Sequence, residues 1–231
     1  MLSLGNRIIT EIVRPPQSLI DAFRGIPASN IGDMMNRLFC MDSGIQKLNG
    51  ASMAGCAVTV NAPEGDNVFL HRALDVAKPG DVIVVNGHGC TTRALMGEIM
   101  MIYAQQRGIA GFVIDGAVRD SDAFSSLTIP IYARAVTPQG PYKNGPGEIN
   151  VPIACGGQVV FPGDLLVGDP DGVCVIPRKA AEQVLELAQQ KIQQEHRTIQ
   201  NYRSGILNEE AHKKTYTAVT DRLGTYYDHP V

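Results

Sequence analysis

Residues 80–87, GDVIVVNG, and residues 111–116, GFVIDG, are two short Val/Ile-rich runs separated by a helical stretch. That stretch, GEIMMIYAQQRG at 97–108, closes on Gly108, and glycine is common at helix C-termini. Runs of β-branched residues bounded by Gly and Asp predict strands that end in tight turns. A strand, a helix and a strand in this order predict a right-handed crossover.

Similar runs continue along the chain and define the fold class. They are GCAVTVNAP (55–63), IPIYARAVT (129–137), GGQVVFPGDLLVGD (156–169) and GVCVIP (172–177). The later runs follow one another without a helix between them, unlike the strands of a Rossmann sheet. The sequence therefore predicts a layered α/β fold.

Helices are predicted at both ends of the chain. PQSLIDAFRG (16–25) predicts a short helix, and Ser29 is predicted to cap a second one through IGDMMNRLF (31–39). From Arg178 to Ser204 there is no Gly or Pro, which predicts one helix of ~37 Å. We predict a core domain at 1–177, including N-terminal helices within 1–45, and a helical extension at 178–231. The tail from residue 215 predicts a short helix and an irregular end.

The long helix carries a carboxylate within its apolar stripe. Glu195 on a buried face is costly without a cation to pair with. Alternatively, the stripe rotates away from the core at that point. The stripe is Leu185, Ala188, Ile192, Glu195, Ile199 and Tyr202.

Composition excludes several classes of protein. The chain has 231 residues, 44% of them apolar, and a net charge of -3 without a basic cluster, which argues against nucleic acid as a partner. Its five cysteines are far apart in sequence and contain no C-x-x-C pair, as expected for reduced thiols in a cytoplasmic protein. No segment approaches the ~20 apolar residues of a membrane span. We expect a cytoplasmic protein.

One candidate site lies at the ends of the crossover strands. Gly87 and Gly89 follow the first strand, and the next helix opens near Gly97, where free backbone N–H groups can bind a carboxylate or phosphate. The segment has neither G-x-G-x-x-G nor a P-loop lysine, which excludes nucleotide binding. Glu98 starts that helix, where the helix dipole alone favours an acidic residue.

VIDGAVRD (113–120) places Arg119 beside Asp120 directly after the second strand. Asp120 is a candidate ligand for a hard cation such as Mg²⁺, and Arg119 a candidate group for stabilising an oxyanion. A structural ion pair is the alternative. The crossover brings Glu98 and this pair to the same end of the sheet.

Two further residues are weaker candidates for substrate contacts. His71, in NVFLHRALD (67–75), has apolar neighbours at helical spacing, which is typical of a half-buried structural histidine. Lys143, in PYKNGPGE (141–148), lacks the apolar surroundings of a Schiff-base lysine. It is predicted to be an electrostatic contact or a solvated side chain. DPDG (169–172) predicts a turn.

Gly97-Glu98, twenty further residues and then Arg119-Asp120 resemble the signature of the 4-hydroxy-4-methyl-2-oxoglutarate aldolases. These are metal-dependent pyruvate aldolases related to the regulator of ribonuclease E activity. The resemblance extends over nearly the whole chain and includes APEGDN (62–67), ARA (133–135) and GGQVVFPGD (156–164).

The resemblance implies a β/β/α swivelling-type domain and a set of site residues. Asp120 would bind Mg²⁺ or Mn²⁺, and Arg119 would hold the pyruvyl oxygen and stabilise the enolate. Glu98 would take the place of an acidic residue that is Asp in several relatives. The N–H groups of Ile99 and Met100, next to Gly97, would receive the substrate carboxylate, with Lys143 and His71 as further substrate contacts.

The resemblance also implies a homotrimer or homohexamer. The long C-terminal helix would pack on a neighbouring subunit, and Glu195 would enter that subunit's site. The implied reaction is retro-aldol cleavage of a 4-hydroxy-2-oxo dicarboxylic acid to pyruvate, with oxaloacetate decarboxylation as a side activity. The alternatives are a non-catalytic regulator that binds a ribonuclease or other protein, and a dedicated oxaloacetate decarboxylase.

Overall fold

Strands dominate the described part of the chain, residues 4–49 and 52–224 of a computed structural model. The strands are β1 (Asn6–Ile8), β2 (Gln46–Lys47), β3 (Met53–Asn61), β4 (Asp81–Met96), β5 (Gly111–Val118), β6 (Ile131–Val136), β7 (Gly147–Ile149), β8 (Ile153–Cys155), β9 (Gln158–Val160), β10 (Leu165–Asp169) and β11 (Gly172–Ile176). The α-helices are α1 (Gln17–Ala22), α2 (Ala28–Met34), α3 (Val68–Val76), α4 (Glu98–Gln106), α5 (Ala181–Arg203), α6 (Glu209–His212) and α7 (Ala218–Leu223).

The central sheet is built around the predicted crossover. β3, β4, β5 and β6 run parallel to one another, and α4 connects β4 to β5. The sheet order is β1-β7-β3-β4-β5-β6-β2, and β10 pairs antiparallel with β3 and with β11. The predicted mixed α/β class is confirmed. The predicted DPDG turn joins β10 to β11, where Asp169 pairs with Gly172.

Side-chain alternation along β4 explains why the sheet has a layer on each face. Ile83 and Val85 pack in a cluster with α3 and α4, whereas Val82 and Val84 pack in a second cluster with the β8–β9 hairpin. Successive side chains of a strand point to opposite faces, so a continuous apolar run needs a cover on both. Helices cover one face of the sheet and short strands cover the other.

The N-terminal helices pack on β10 and β11 in a third apolar cluster. The prediction that Ser29 caps α2 is wrong, because the helix begins at Ala28. The Ala28 N–H donates to Asp169 Oδ2 at 2.8 Å, so a carboxylate distant in sequence binds the helix N-terminus. The helix also ends earlier than predicted, since Asn36 and Arg37 have positive φ angles of 56° and 63°.

The chain divides into two units, residues 1–189 and 190–231. α5 is a single helix, as predicted, and Ala181, Val184 and Ala188 on its first half are buried. In the second unit, α6, a π-helical turn (Lys213–Thr217) and α7 follow it. The division predicted after residue 177 stays a prediction, and the predicted irregular end at 225–231 lies outside the described residues. No helix in the described ranges is long and apolar enough to cross a membrane.

A buried ion pair fixes the start of β4, and its removal tests the fold. Asp81 Oδ1 and Oδ2 accept from Arg14 Nε and Nη2 at 2.9 and 2.7 Å, and Oδ2 also accepts from Lys78 N–H at 2.7 Å. We predict that Arg14→Met lowers the free energy of unfolding by about 3 kcal/mol, because Asp81 is left buried without its cation. Urea denaturation measures the change.

The matched control is Arg24→Met, which removes an exposed ion pair with Asp21. Exposed pairs contribute little, so this variant is expected to unfold like the wild type. Equal stability of the two variants would contradict the role given to the Arg14–Asp81 pair.

Candidate active site

The candidate site lies where β4 and β5 end and α4 begins. Met96 is the last residue of β4, and Arg119 follows the last residue of β5. The Arg119 backbone N–H donates to Met96 O at 2.9 Å, which joins the two strand ends. Arg119 and Asp120 consequently lie beside Gly97, the residue that precedes α4.

Asp120 adopts a left-handed backbone conformation with φ 62° and ψ 46°. Asp and Asn tolerate this region better than most residues, but strain there still costs roughly 1–3 kcal/mol. Contacts of the carboxylate offset the cost. Asp120 Oδ2 accepts from the Glu98 N–H at 3.0 Å and lies 3.5 Å from Arg119 Nε. The first of these contacts places a negative charge at a helix N-terminus, where it is favoured.

Gly97 is required by the close approach of this pair. A Cβ at position 97 would collide with Asp120 Oδ2 and lie 3.0 Å from Arg119 Cγ. The Gly97 backbone, with φ -143°, is open to any residue, so space and not conformation demands glycine. Steric exclusion of a Cβ therefore explains why glycine occupies the first position of the sequence signature.

The opposite wall is a loop held by Asp66. Asp66 Oδ2 accepts from the N–H groups of Asn144 and Gly145 at 2.6 and 3.0 Å, and Oδ1 accepts from the Val68 N–H at 3.0 Å. Asp66 is buried, so these three bonds supply the partners that a buried carboxylate needs. They fix the loop that carries Lys143.

The two walls enclose a pocket of about 140 Å³. Seven of the predicted site residues line it: Gly97, Ile99, Met100, Arg119, Asp120, His71 and Lys143. The other lining residues are Asn67, Met96 and Pro141. Residues from β4, α3, α4, the end of β5 and the Lys143 loop thus meet at one place. Their individual roles stay predictions.

Two predicted acidic residues do not line this pocket. The Glu98 side chain is exposed, and only its N–H contacts the site, through Asp120. Glu195 lies in the second unit, where its Oε1 is 3.2 Å from Lys191 Nζ. Its role in a neighbouring subunit stays a prediction. The Met100 N–H, a predicted contact for the substrate carboxylate, donates to Gly97 O at 3.1 Å.

Asn67 is a pocket residue that the sequence reasoning missed. It is buried, and its Nδ2 donates to Leu95 O at 2.8 Å. Among the described residues, no hydrogen-bond donor reaches its Oδ1. The motif APEGDN, which contains Asp66 and Asn67, is the sequence feature that could have indicated a pocket residue here. Nothing in the local sequence, however, distinguishes a pocket role of Asn67 from that of a helix cap.

His71 and Lys143 are close enough to interact electrostatically. Burial lowers the pKa of His71, the Lys143 ammonium lowers it further, and Asp75 acts in the opposite direction. Both burial and a nearby cation disfavour the charged imidazolium. Neutral histidine is therefore the dominant form at pH 7.

The donor set fits a hard divalent cation with few protein ligands. Within the described ranges, no group of three or more His, Cys, Asp or Glu residues is placed to hold a metal ion. Mg²⁺ commonly uses one or two carboxylates and takes its remaining ligands from water or substrate. The Asp120 side chain is 41% exposed, and its contacts with the Glu98 N–H and with Arg119 both involve Oδ2. Asp120 Oδ1 is thus suited to a cation.

The fold and this pocket define a mixed α/β protein with a pocket of cationic and carboxylate side chains at the carboxyl ends of parallel strands. The chain belongs to the RraA-like family, described as Aldolase/RraA, which it matches over residues 19–175. The predicted family is confirmed.

Three relatives show the range of names in this family. The chain is 46% identical to a Halalkalibacterium halodurans protein named "Putative 4-hydroxy-4-methyl-2-oxoglutarate aldolase", over 74% of this chain and 82% of that protein. The Streptomyces coelicolor structure of RraAS2, an RNase ES inhibitor family member, is 29% identical with a TM-score of 0.73, covering 81% and 100% of the two chains. The Thermus thermophilus RNA-processing inhibitor RraA is 31% identical with a TM-score of 0.61, covering 65% and 92%.

The titration of His71 tests the geometry of the pocket. Lys143→Met removes a positive charge near the imidazole, so we predict that the pKa of His71 rises toward its ordinary value. Asp75→Asn removes a negative charge and should lower the same pKa. NMR of the imidazole ring protons against pH measures both shifts. Shifts of the same sign would contradict the placement of Lys143.

Proposed function

We propose that this protein is a divalent-metal-dependent carbon–carbon lyase that cleaves a 4-hydroxy-2-oxo dicarboxylic acid and releases pyruvate. Candidate substrates are 4-hydroxy-4-methyl-2-oxoglutarate and 4-carboxy-4-hydroxy-2-oxoadipate. The observation that carries the proposal is the meeting of Arg119, Asp120 and the first turn of α4 in one pocket. The aldolase name of the Halalkalibacterium relative supports it.

Asp120 is the proposed protein ligand for Mg²⁺ or Mn²⁺. When bound, such a cation supplies Lewis-acid polarisation of the 2-oxo group and takes up part of the negative charge of the reaction. Asp120 is held at its site by the Glu98 N–H and by Arg119. The ligand is therefore fixed in position before substrate binds, which avoids part of the cost of ordering it.

The first turn of α4 is proposed to bind the substrate carboxylate, and Arg119 is proposed to bind the 2-oxo group. The proposed donors to the substrate carboxylate are the Ile99 N–H and the Met100 N–H, the latter after exchange of its bond to Gly97 O, because the N-terminus of a helix favours an anion. The Arg119 guanidinium contacts the 2-oxo oxygen, where negative charge develops as the C3–C4 bond breaks. Lys143 and His71, on the opposite wall, contact the distal carboxylate.

Bond cleavage requires removal of the proton from the C4 hydroxyl. We propose that a water molecule accepts this proton. The candidate side chains for holding this water are Glu98 and Glu195 of a neighbouring copy. The electrons of the C3–C4 bond move onto the pyruvyl fragment, and protonation at C3 then gives pyruvate. Loss of CO₂ from oxaloacetate produces the same enolate, so decarboxylation is the expected side activity. The alternative is that oxaloacetate is the main substrate, which a comparison of kcat/KM values decides.

A second candidate function is that of a non-catalytic regulator that binds a ribonuclease or another protein. The similarity to the Thermus and Streptomyces inhibitor structures favours it. The two functions differ in one measurable property, which is the release of pyruvate from a 4-hydroxy-2-oxo acid in the presence of Mg²⁺ or Mn²⁺.

Substitutions of the Arg-Asp pair test the lyase. We predict that Arg119→Ala lowers kcat by about 10²–10³-fold, because a charge that stabilises the transition state is lost, while Mn²⁺ still binds. Asp120→Asn, which tolerates the same left-handed conformation, should lose both Mn²⁺ binding and activity. A pyruvate assay coupled to lactate dehydrogenase measures the rate, and electron paramagnetic resonance measures bound Mn²⁺.

Asp122→Asn is the matched control, because Asp122 is an exposed carboxylate two residues further along that does not line the pocket. It should behave like the wild type in both measurements. Unchanged Mn²⁺ binding by Asp120→Asn would refute the metal site. No pyruvate release by the wild type from any 4-hydroxy-2-oxo acid or oxaloacetate, with either metal, would favour the regulator.

A further inference from the structure

Cys40 and Cys174, 134 residues apart in sequence, face each other across a backbone bridge. The residues on either side of this pair make its two backbone hydrogen bonds, so the cysteines occupy a non-hydrogen-bonded antiparallel position. In such positions the Cα atoms are about 4.5 Å apart and the side chains approach closely. Disulfides form at Cα separations of roughly 4.4–6.8 Å. The hydrogen bonds run from Met41 N–H to Val173 O and from Val175 N–H to Phe39 O, both at 2.9 Å.

The side chains of this pair already point toward each other. The two Sγ atoms are 3.5 Å apart, and both cysteines are free thiols. A disulfide needs about 2.05 Å between the sulfurs, a shift that side-chain rotation supplies. Gly32 leaves room for the Cys40 sulfur, because a Cβ at position 32 would lie 2.7 Å from it.

The two thiols differ in exposure, and this difference assigns their roles. Cys40 is exposed, so a dissolved oxidant reaches it. Cys174 is buried, its Sγ donates to Ala28 O at 3.2 Å, and burial raises the pKa of its thiol. A buried thiol with a raised pKa is a poor nucleophile toward an outside oxidant. Cys174 is therefore positioned to react after Cys40.

We propose that Cys40 and Cys174 form a reversible oxidation site that a hydroperoxide converts into a disulfide. The Cys40 sulfur attacks the peroxide, the O–O bond breaks, and Cys40 becomes a sulfenic acid while the peroxide is reduced to an alcohol or water. The Cys174 sulfur then attacks the Cys40 sulfur, the S–O bond breaks, and water leaves with the Cys174 proton. In total, two thiols lose two electrons and two protons, and one hydroperoxide takes them up.

The disulfide would bind the segment after α2 to β11. That segment is otherwise joined to β11 by the two backbone hydrogen bonds of the bridge. A covalent bond there removes conformations from the unfolded chain, so the oxidised protein should unfold at a higher temperature than the reduced protein. Neither cysteine lines the Arg119–Asp120 pocket, so this site is independent of the proposed function.

The test uses the reduced full-length chain and hydrogen peroxide in small molar excess. After treatment, N-ethylmaleimide blocks the remaining thiols under denaturing conditions, and mass spectrometry follows the chain and its tryptic peptides. We expect loss of the mass of two hydrogen atoms, a peptide cross-linked between Cys40 and Cys174, and reversal by dithiothreitol. Fragmentation must separate Cys174 from Cys155, which lies on the same tryptic peptide. The melting temperature should rise by several degrees on oxidation and fall back on reduction.

Two variants make the test decisive. Cys40→Ser should form no disulfide under the same treatment, and as an exposed position it should fold. Cys90→Ser removes another partly exposed thiol and should leave the cross-link unchanged. Oxidation of Cys40 to a sulfinic acid with Cys174 still blocked by N-ethylmaleimide would overturn the proposal. So would an equal loss of two thiols in Cys40→Ser.

Discussion

The contact between the Asp120 carboxylate and the first N–H of α4 is the constraint on which the pocket depends. It requires a glycine at position 97, because any Cβ there would occupy the space of Asp120 Oδ2. It also requires that β4 and β5 end at the same level, which the bond from the Arg119 N–H to Met96 O ensures. The site is thus a product of one crossover unit, and the rest of the fold supports it.

The second wall of the pocket comes from elsewhere in the chain and is held by polar side-chain contacts together with an isolated parallel bridge between Asp66 and Tyr142. Besides the three bonds accepted by Asp66, Arg93 on β4 donates to Gly140 O at 3.1 Å and to the Tyr142 hydroxyl at 2.9 Å. The Arg93 guanidinium also lies over the Tyr142 ring, 4.1 Å from its centre. Cation–π and hydrogen-bond contacts of this kind restrict a loop that has little regular structure. These contacts therefore restrict the position of the segment that carries Lys143.

The sequence allowed prediction of the features that depend on local pattern. The β4–α4–β5 crossover follows from Val/Ile runs and a glycine-terminated helix, and the Arg-Asp pair was located because it follows a strand of that unit. The cap of α2 was mispredicted because Asp169, distant in sequence, takes the position assigned to Ser29. The left-handed conformation of Asp120 could not be predicted from the sequence either, since it depends on contacts with another element. Long-range polar contacts, unlike hydrophobic periodicity, leave no repeating signal along the chain.

The net charge of the pocket is positive, whereas the net charge of the whole chain is negative. The chain carries a net charge of -3, yet Arg119 and Lys143 place two cations around the single carboxylate of Asp120. The N-terminus of α4 adds a partial positive charge on the same side as Arg119. The acid that we propose as substrate would therefore meet a locally positive pocket despite the overall negative charge. His71 adds no third full charge at pH 7, because burial and Lys143 lower its pKa. It is left as a neutral hydrogen-bonding group beside a cation, an arrangement that can distinguish the shape of an acid as well as its charge.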